Sequence, residues 1–182
     1  LDESIDFLIS SGIKHISAYM LKIEEGTPFY KMQNSLVLPD EDTVCEMYLH
    51  AVKRLSEAGF SQYEISNFSK EGFESRHNLH YWRTEEYLGI GPSAHSFLNG
   101  KRFYFERDFK SFLSSPSTID DGEGGSEEEY IMLSLRLSEG LSKEKFKKRF
   151  GKYPDNKIFE RSKKFEKHGL VKVTEEAVSL TP

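Results

Sequence analysis

Two helices in the first 66 residues each stop at a glycine and hand over directly to an alternating apolar run. Leu1–Ser11 is amphipathic, with Ile5, Leu8 and Ile9 on one side, and Gly12 closes it. Asp40–Ala58 carries Val44, Met47, Tyr48, Ala51, Val52 and Leu55 at helical spacing, opens on Leu38-Pro39-Asp40-Glu41-Asp42, and is closed by Gly59. The runs that follow, Lys14–Ile23 and Phe60–Ser66, alternate as strands. The first reads as buried on both faces. A helix–strand cadence repeated this way predicts an α/β layer with parallel strands.

The second half has a different rhythm. His95–Phe105 reads as a hairpin turning at Asn99-Gly100, followed by a short helix over Glu106–Leu113. The acidic, Gly- and Ser-rich stretch 114–126 is the expected linker, dividing a first domain, 1–113, from a second, 127–182. In the second domain Glu127–Leu137, Lys143–Phe150 behind an N-cap Ser142, and a segment opened by Pro154 and ended by Gly169 are predicted helices. Leu170–Thr174 and Ala177–Leu180 are short alternating runs. Three helices and a β-hairpin form a winged-helix pattern.

Composition narrows the function classes. Of the 182 residues, 13% are aromatic and 30% charged, with net charge −5. The aromatics exclude a disordered chain. Charge is uneven: Leu141–Pro182 holds twelve Lys and Arg against six Asp and Glu, while the rest holds thirteen against twenty-four. The basic tail could meet nucleic acid or an anionic lipid surface. Its charges are spread over all helix sides, so nucleic-acid binding is not expected. No apolar run is long enough to cross a bilayer. Cys45 is the only cysteine, so the chain has no internal disulfide and cannot by itself hold a cysteine-rich metal centre or an iron–sulfur cluster. No leader sequence is recognisable, and a cytoplasmic, reducing setting is expected.

Chemistry concentrates in Arg76-His77-Asn78-Leu79-His80-Tyr81-Trp82. Imidazole can ligate haem iron, aromatic rings can stack on a macrocycle, and the forked donors of Arg76 suit a propionate. The same cluster also reads as core aromatics beside a hydrogen-bonded loop histidine. Gly89-Ile90-Gly91-Pro92-Ser93-Ala94-His95 is a small-residue turn that either lets a ligand approach the backbone or simply reverses the chain. Glu64–Phe68 ends a strand where ligands bind in parallel sheets, or merely terminates it. Cys45, on an apolar-periodic helix, reads as a packing residue.

Taken in order, Ile16–Tyr19, Glu25–Phe29, Leu38–Asp42, Tyr63–Phe68, Arg76–Trp82 and Tyr87–His95 resemble the oxygen-independent coproporphyrinogen III oxidase-like family of radical S-adenosylmethionine (SAM) proteins. The resemblance covers nearly the whole chain. It implies the last part of a radical-SAM partial (β/α) barrel followed by a small helical, winged-helix-like domain. The barrel's front, with its Cys-x-x-x-Cys-x-x-Cys loop for a 4Fe-4S cluster, is not in this sequence. The chain opens at Leu1 on a helix already in progress and is expected to be a fragment with no catalytic residue of its own. Exposed barrel edges would then favour a homodimer.

Two branches of the family differ at one motif. The dehydrogenases decarboxylate propionates in porphyrin and haem biosynthesis. The HemW-type members are similar to them but act as haem chaperones for client haemoproteins, some of them membrane-associated. The pattern His-Asn-x-x-Tyr-Trp belongs to the second branch and is complete here as His77, Asn78, Tyr81 and Trp82. The resemblance therefore implies a haem site at these residues with Arg76, and His77 as candidate iron ligand. By family position it places Lys22 and His95 at SAM contacts. Ser93 stands where such members often have glycine, and is expected to be tolerated.

Overall fold

The computed structural model describes residues 1–182 and divides into two compact units, 1–74 and 75–181. In the first unit the elements are α1 (Asp2–Ser10), β1 (His15–Ser17), α2 (Pro28–Met32), a 3-10 turn (Gln33–Ser35), α3 (Glu41–Glu57), β2 (Ser61–Glu64) and β3 (Asn67–Ser69). The long helix starts where its sequence requires. Asp40 Oδ1 accepts from the Thr43 N–H at 2.8 Å, and Glu41 and Asp42 complement the positive end of the helix dipole. The core joins α1, α3 and the sheet through Ile5, Ile16, Ala51, Leu55, Phe60 and Phe68. Leu55, Phe60 and Phe68 are essentially inaccessible, and burying side chains of this size contributes roughly 1.5–3 kcal/mol each. On the rim Arg54 bridges Asp2 and Asp6 of α1, at 2.5 Å to each.

The expected parallel sheet is not what forms. The strand order is β1-β3-β2 and both pairings are antiparallel. The chain reverses within Ile65 and Ser66, so β2 and β3 make a hairpin and β3 becomes the central strand. An alternating pattern reports which faces are buried, not the direction of the neighbour. The strand expected over Lys14–Ile23 is likewise shortened to three residues, because β3 offers only Asn67–Ser69 as partners. Tyr19, Met20 and Leu21 beyond it are exposed.

The second unit contains α4 (Arg76–Trp82), β4 (His95–Leu98), β5 (Lys101–Phe105), α5 (Phe109–Ser114), β6 (Thr118–Glu123), α6 (Glu127–Ser134), β7 (Leu141–Ser142), α7 (Lys143–Phe150), α8 (Asn156–Glu166), β8 (Val171–Val173) and β9 (Ala177–Leu180). β4 and β5 pair antiparallel around Asn99-Gly100, as the sequence predicts. The stretch 114–126, expected to be a linker, instead carries β6, which extends this sheet by pairing Tyr104 with Ile119 and Phe103 with Asp120. Every residue of β6 is exposed. An acidic, solvated edge strand has the composition of a linker while using its backbone for pairing.

From α6 onward the order is helix, strand, helix, helix, strand, strand, and the three strands form one antiparallel sheet, β7-β9-β8. This is the winged-helix arrangement. Its core is Tyr130, Leu141, Phe146, Phe159 and Val178. Tyr130, Phe146 and Phe150 pack ring against ring, with centroids 4.6–5.9 Å apart. Gly140 makes the close crossing before β7 possible: a Cβ there would lie 2.0 Å from the Val178 carbonyl oxygen. The third helix of this domain begins two residues later than expected. Asp155 is its cap, accepting from the Lys157 N–H at 2.9 Å, and Pro154 precedes it as a buried residue.

Candidate functional site

The histidine–aromatic cluster lies on a short helix, α4. Ser75 caps α4 by accepting from the Asn78 N–H at 3.3 Å. The other end closes with two reverse hydrogen bonds: the Thr84 N–H donates to the Tyr81 carbonyl at 3.0 Å, and the Glu85 N–H to the His80 carbonyl at 2.9 Å. That pair of bonds is the Schellman closure, in which the residue after the cap adopts a left-handed conformation. Thr84 fills that place with φ 52°, unusual for a β-branched residue. It is buried, and its carbonyl accepts from Arg149 Nη2 of α7 at 2.8 Å.

Helical spacing sorts the cluster into two faces. His77, His80 and Tyr81 share one. Tyr81 Oη and His77 Nε2 are 3.1 Å apart, and their rings meet edge-on with centroids separated by 4.8 Å. Tyr81 also meets Tyr87 edge-on at 4.5 Å. Burial, and then the charge of Tyr87, hold the Tyr81 phenol above its ordinary value. His77 and His80 are both exposed, and His80 Nδ1 lies 2.5 Å from Glu85 Oε2. Arg76 is exposed one turn before His80.

Trp82 is on another side of the helix. The guanidinium carbon of Arg136 sits 4.2 Å from its ring centroid, and its indole Nε1 is buried without a hydrogen-bond partner. Beside it a cleft of about 290 Å³ is lined by Tyr81, Trp82, Tyr87, Phe97, Arg102 and Leu133. Arg102 is anchored there by Glu129. A cleft of this size is at the lower limit for a small-molecule pocket and cannot enclose a macrocycle. A porphyrin meeting α4 would lie against its exposed face. The residues fit that role: accessible imidazoles, a phenol and an arginine occupy consecutive turns.

The other candidates are placed separately. Lys22 belongs to the first unit, follows β1, and pairs with Glu24 at 2.8 Å on the surface. His95 opens β4 in the second unit, stacks on Tyr104 at 4.8 Å, and approaches Asp121 at 3.3 Å. Ser93 is left-handed with φ 62°, the conformation in which glycine is favoured. Glu64–Phe68 forms a buried polar turn. Glu64 Oε1 accepts from the Ser66 N–H at 2.8 Å and from Asn67, while Asn67 Oδ1 accepts from Ser17 Oγ at 2.5 Å. Cys45 is exposed on α3, and one thiol cannot supply the ligands of a 4Fe-4S cluster. The sequence reading missed Glu85, Tyr87 and Arg136. Glu85 was readable only once Thr84 was known to be a helix-closing residue. Arg136 is fifty-four positions from Trp82 and leaves no local signal.

The fold and the motif helix define the class: a mixed α/β region ending in a domain of the HemN type. Residues 128–182 match the family described as HemN C-terminal domain. The chain is 35% identical to "Heme chaperone HemW" of Bacillus subtilis over 100% of this chain and 50% of that protein. With the Lactococcus lactis protein of the same name it shares 36% over 80% of this chain and 41% of that one. Over 44% of this chain it is 45% identical to zebrafish "Radical S-adenosyl methionine domain-containing protein 1, mitochondrial", covering 19% of that protein. In fold it matches the coproporphyrinogen III oxidase HemN of Escherichia coli with a TM-score of 0.68, over 99% of this chain and 47% of that one, at 13% identity. The chain belongs to the HemN/HemW family of radical SAM proteins, and it spans half or less of the length of these relatives.

Proposed function

We propose that this chain is the haem-binding part of a HemW-type chaperone, which holds haem and passes it to client haemoproteins. The observation that carries the reading is the exposed face of α4, where the complete His-Asn-x-x-Tyr-Trp pattern displays two imidazoles and a phenol within five residues. The relatives named as haem chaperones support it. Arg76 is suited to a haem propionate. No helix is long and apolar enough to cross a membrane. The reading places the protein in the cytoplasm, meeting membrane-associated clients at the surface. SAM and a 4Fe-4S cluster belong to the reading only through the family. Lys22 and His95 are the SAM-side candidates, and no step is assigned to either cofactor.

The test is a haemin titration followed in the Soret band. The full chain is expected to give a saturable shift. The double variant His77→Ala/His80→Ala is expected to lose it. A shift of equal size and affinity in that variant would refute the assignment of haem to α4.

A further inference from the structure

Resting on the haem reading, we infer that the iron is held by His80, which the His-Asn-x-x-Tyr-Trp pattern leaves unspecified, with Glu85 as its positioning residue. His77 and His80 are one turn apart on the same helix, so both face the same side of any macrocycle laid on α4 and cannot take opposite axial positions. One of them is the ligand, and their second shells differ. The ε nitrogen of His77 is engaged by the Tyr81 hydroxyl at 3.1 Å. His80 has the reverse arrangement. Its Nδ1 lies 2.5 Å from the Glu85 carboxylate, its Nε2 has no hydrogen-bond partner, and nearly half of the side chain is open to solvent at 47%.

That is how metal-binding imidazoles are prepared. A carboxylate on Nδ1 fixes the tautomer with the Nε2 lone pair outward, orients the ring and raises its basicity as a ligand. Tyr81 is the remaining candidate, but its hydroxyl is engaged with His77 Nε2 at 3.1 Å and its ring is packed edge-on against Tyr87.

The arrangement is built into the backbone. The left-handed turn at Thr84 and the reverse bond from Glu85 N–H to the His80 carbonyl return Glu85 to the turn that carries His80. A strained, β-branched residue at this point fits a site where geometry outranks local stability. Glu85 also borders a cleft of about 460 Å³ edged by Arg83, Lys145, Lys148 and Arg149, cations suited to propionates.

The experiment compares His77→Ala, His80→Ala and Glu85→Gln in the full chain. Haemin affinity, the electron paramagnetic resonance spectrum of the ferric complex and the iron–imidazole stretch of the ferrous complex are measured, with circular dichroism confirming the fold. His80→Ala is expected to lose the imidazole signature, and His77→Ala to keep it. Glu85→Gln is expected to lower the iron–imidazole stretching frequency and weaken binding about 10- to 100-fold. Loss of the signature in His77→Ala with retention in His80→Ala would overturn this inference and leave the haem reading standing. Absence of saturable haemin binding by the unsubstituted chain would overturn both.

Discussion

Arg136, two residues beyond α6, lays its guanidinium over the Trp82 ring at 4.2 Å, tying the C-terminal domain to the last residue of the motif helix. Trp82 is thereby a structural member of the motif, while His77 and His80 remain exposed. Replacing Arg136 by Ala and Trp82 by Leu in a double-mutant cycle is expected to give a coupling energy of about 0.5–2 kcal/mol. Denaturant unfolding of the four proteins measures it. Simple additivity would mean that the stacked pair contributes nothing beyond packing.

Gly140 is the position least able to accept a side chain. Gly140→Ala would force a Cβ to within 2.0 Å of the Val178 carbonyl oxygen at φ 67°. Overpacking and left-handed strain together are expected to cost roughly 3 kcal/mol. A thermal melt should show a clear loss of stability, with the C-terminal domain the first to lose its hydrogen-exchange protection.

Ser93 gives the opposite expectation. It is exposed, and its backbone is left-handed, so Ser93→Gly removes strain without opening a cavity. A gain of about 0.5–1 kcal/mol is expected, the strain relief being partly offset by the greater freedom of glycine in the unfolded chain. The midpoint of urea unfolding should rise without a change in slope.

Acid should weaken the helix caps. Hydrogen bonds from Thr43 hold the Asp40 carboxyl below its ordinary 3.8, and those from Ser111 do the same for Asp108. A carboxylate depressed in the folded state contributes stability that is present above its unfolded value and is lost as pH falls through the folded one. Tm measured between pH 5 and pH 2 should therefore fall below about pH 4. Asp40→Asn and Asp108→Asn together should flatten part of that fall, since an amide can cap without titrating. An unchanged pH profile in the double variant would remove the caps as its cause.

Local chemistry was sufficient for the elements that rest on it. The Asp40 and Ser142 caps, the turn at Asn99-Gly100 and the helical spacing of Val44 to Leu55 each act within a few residues, and each element forms where the sequence places it. The motif His77-Asn78-x-x-Tyr81-Trp82 was likewise legible as letters. Tertiary structure decided what no short window contains. Strand direction in the first sheet followed from the reversal at Ile65-Ser66. The acidic stretch 118–123 became a strand because β5 left an edge to pair with. The roles within the cluster were also decided there. Arg136 reaches Trp82 from a distant helix, and the backbone turn at Thr84 brings Glu85 to His80. Side-chain type announces that a site can exist. Which nitrogen is left open depends on partners supplied by the folded chain.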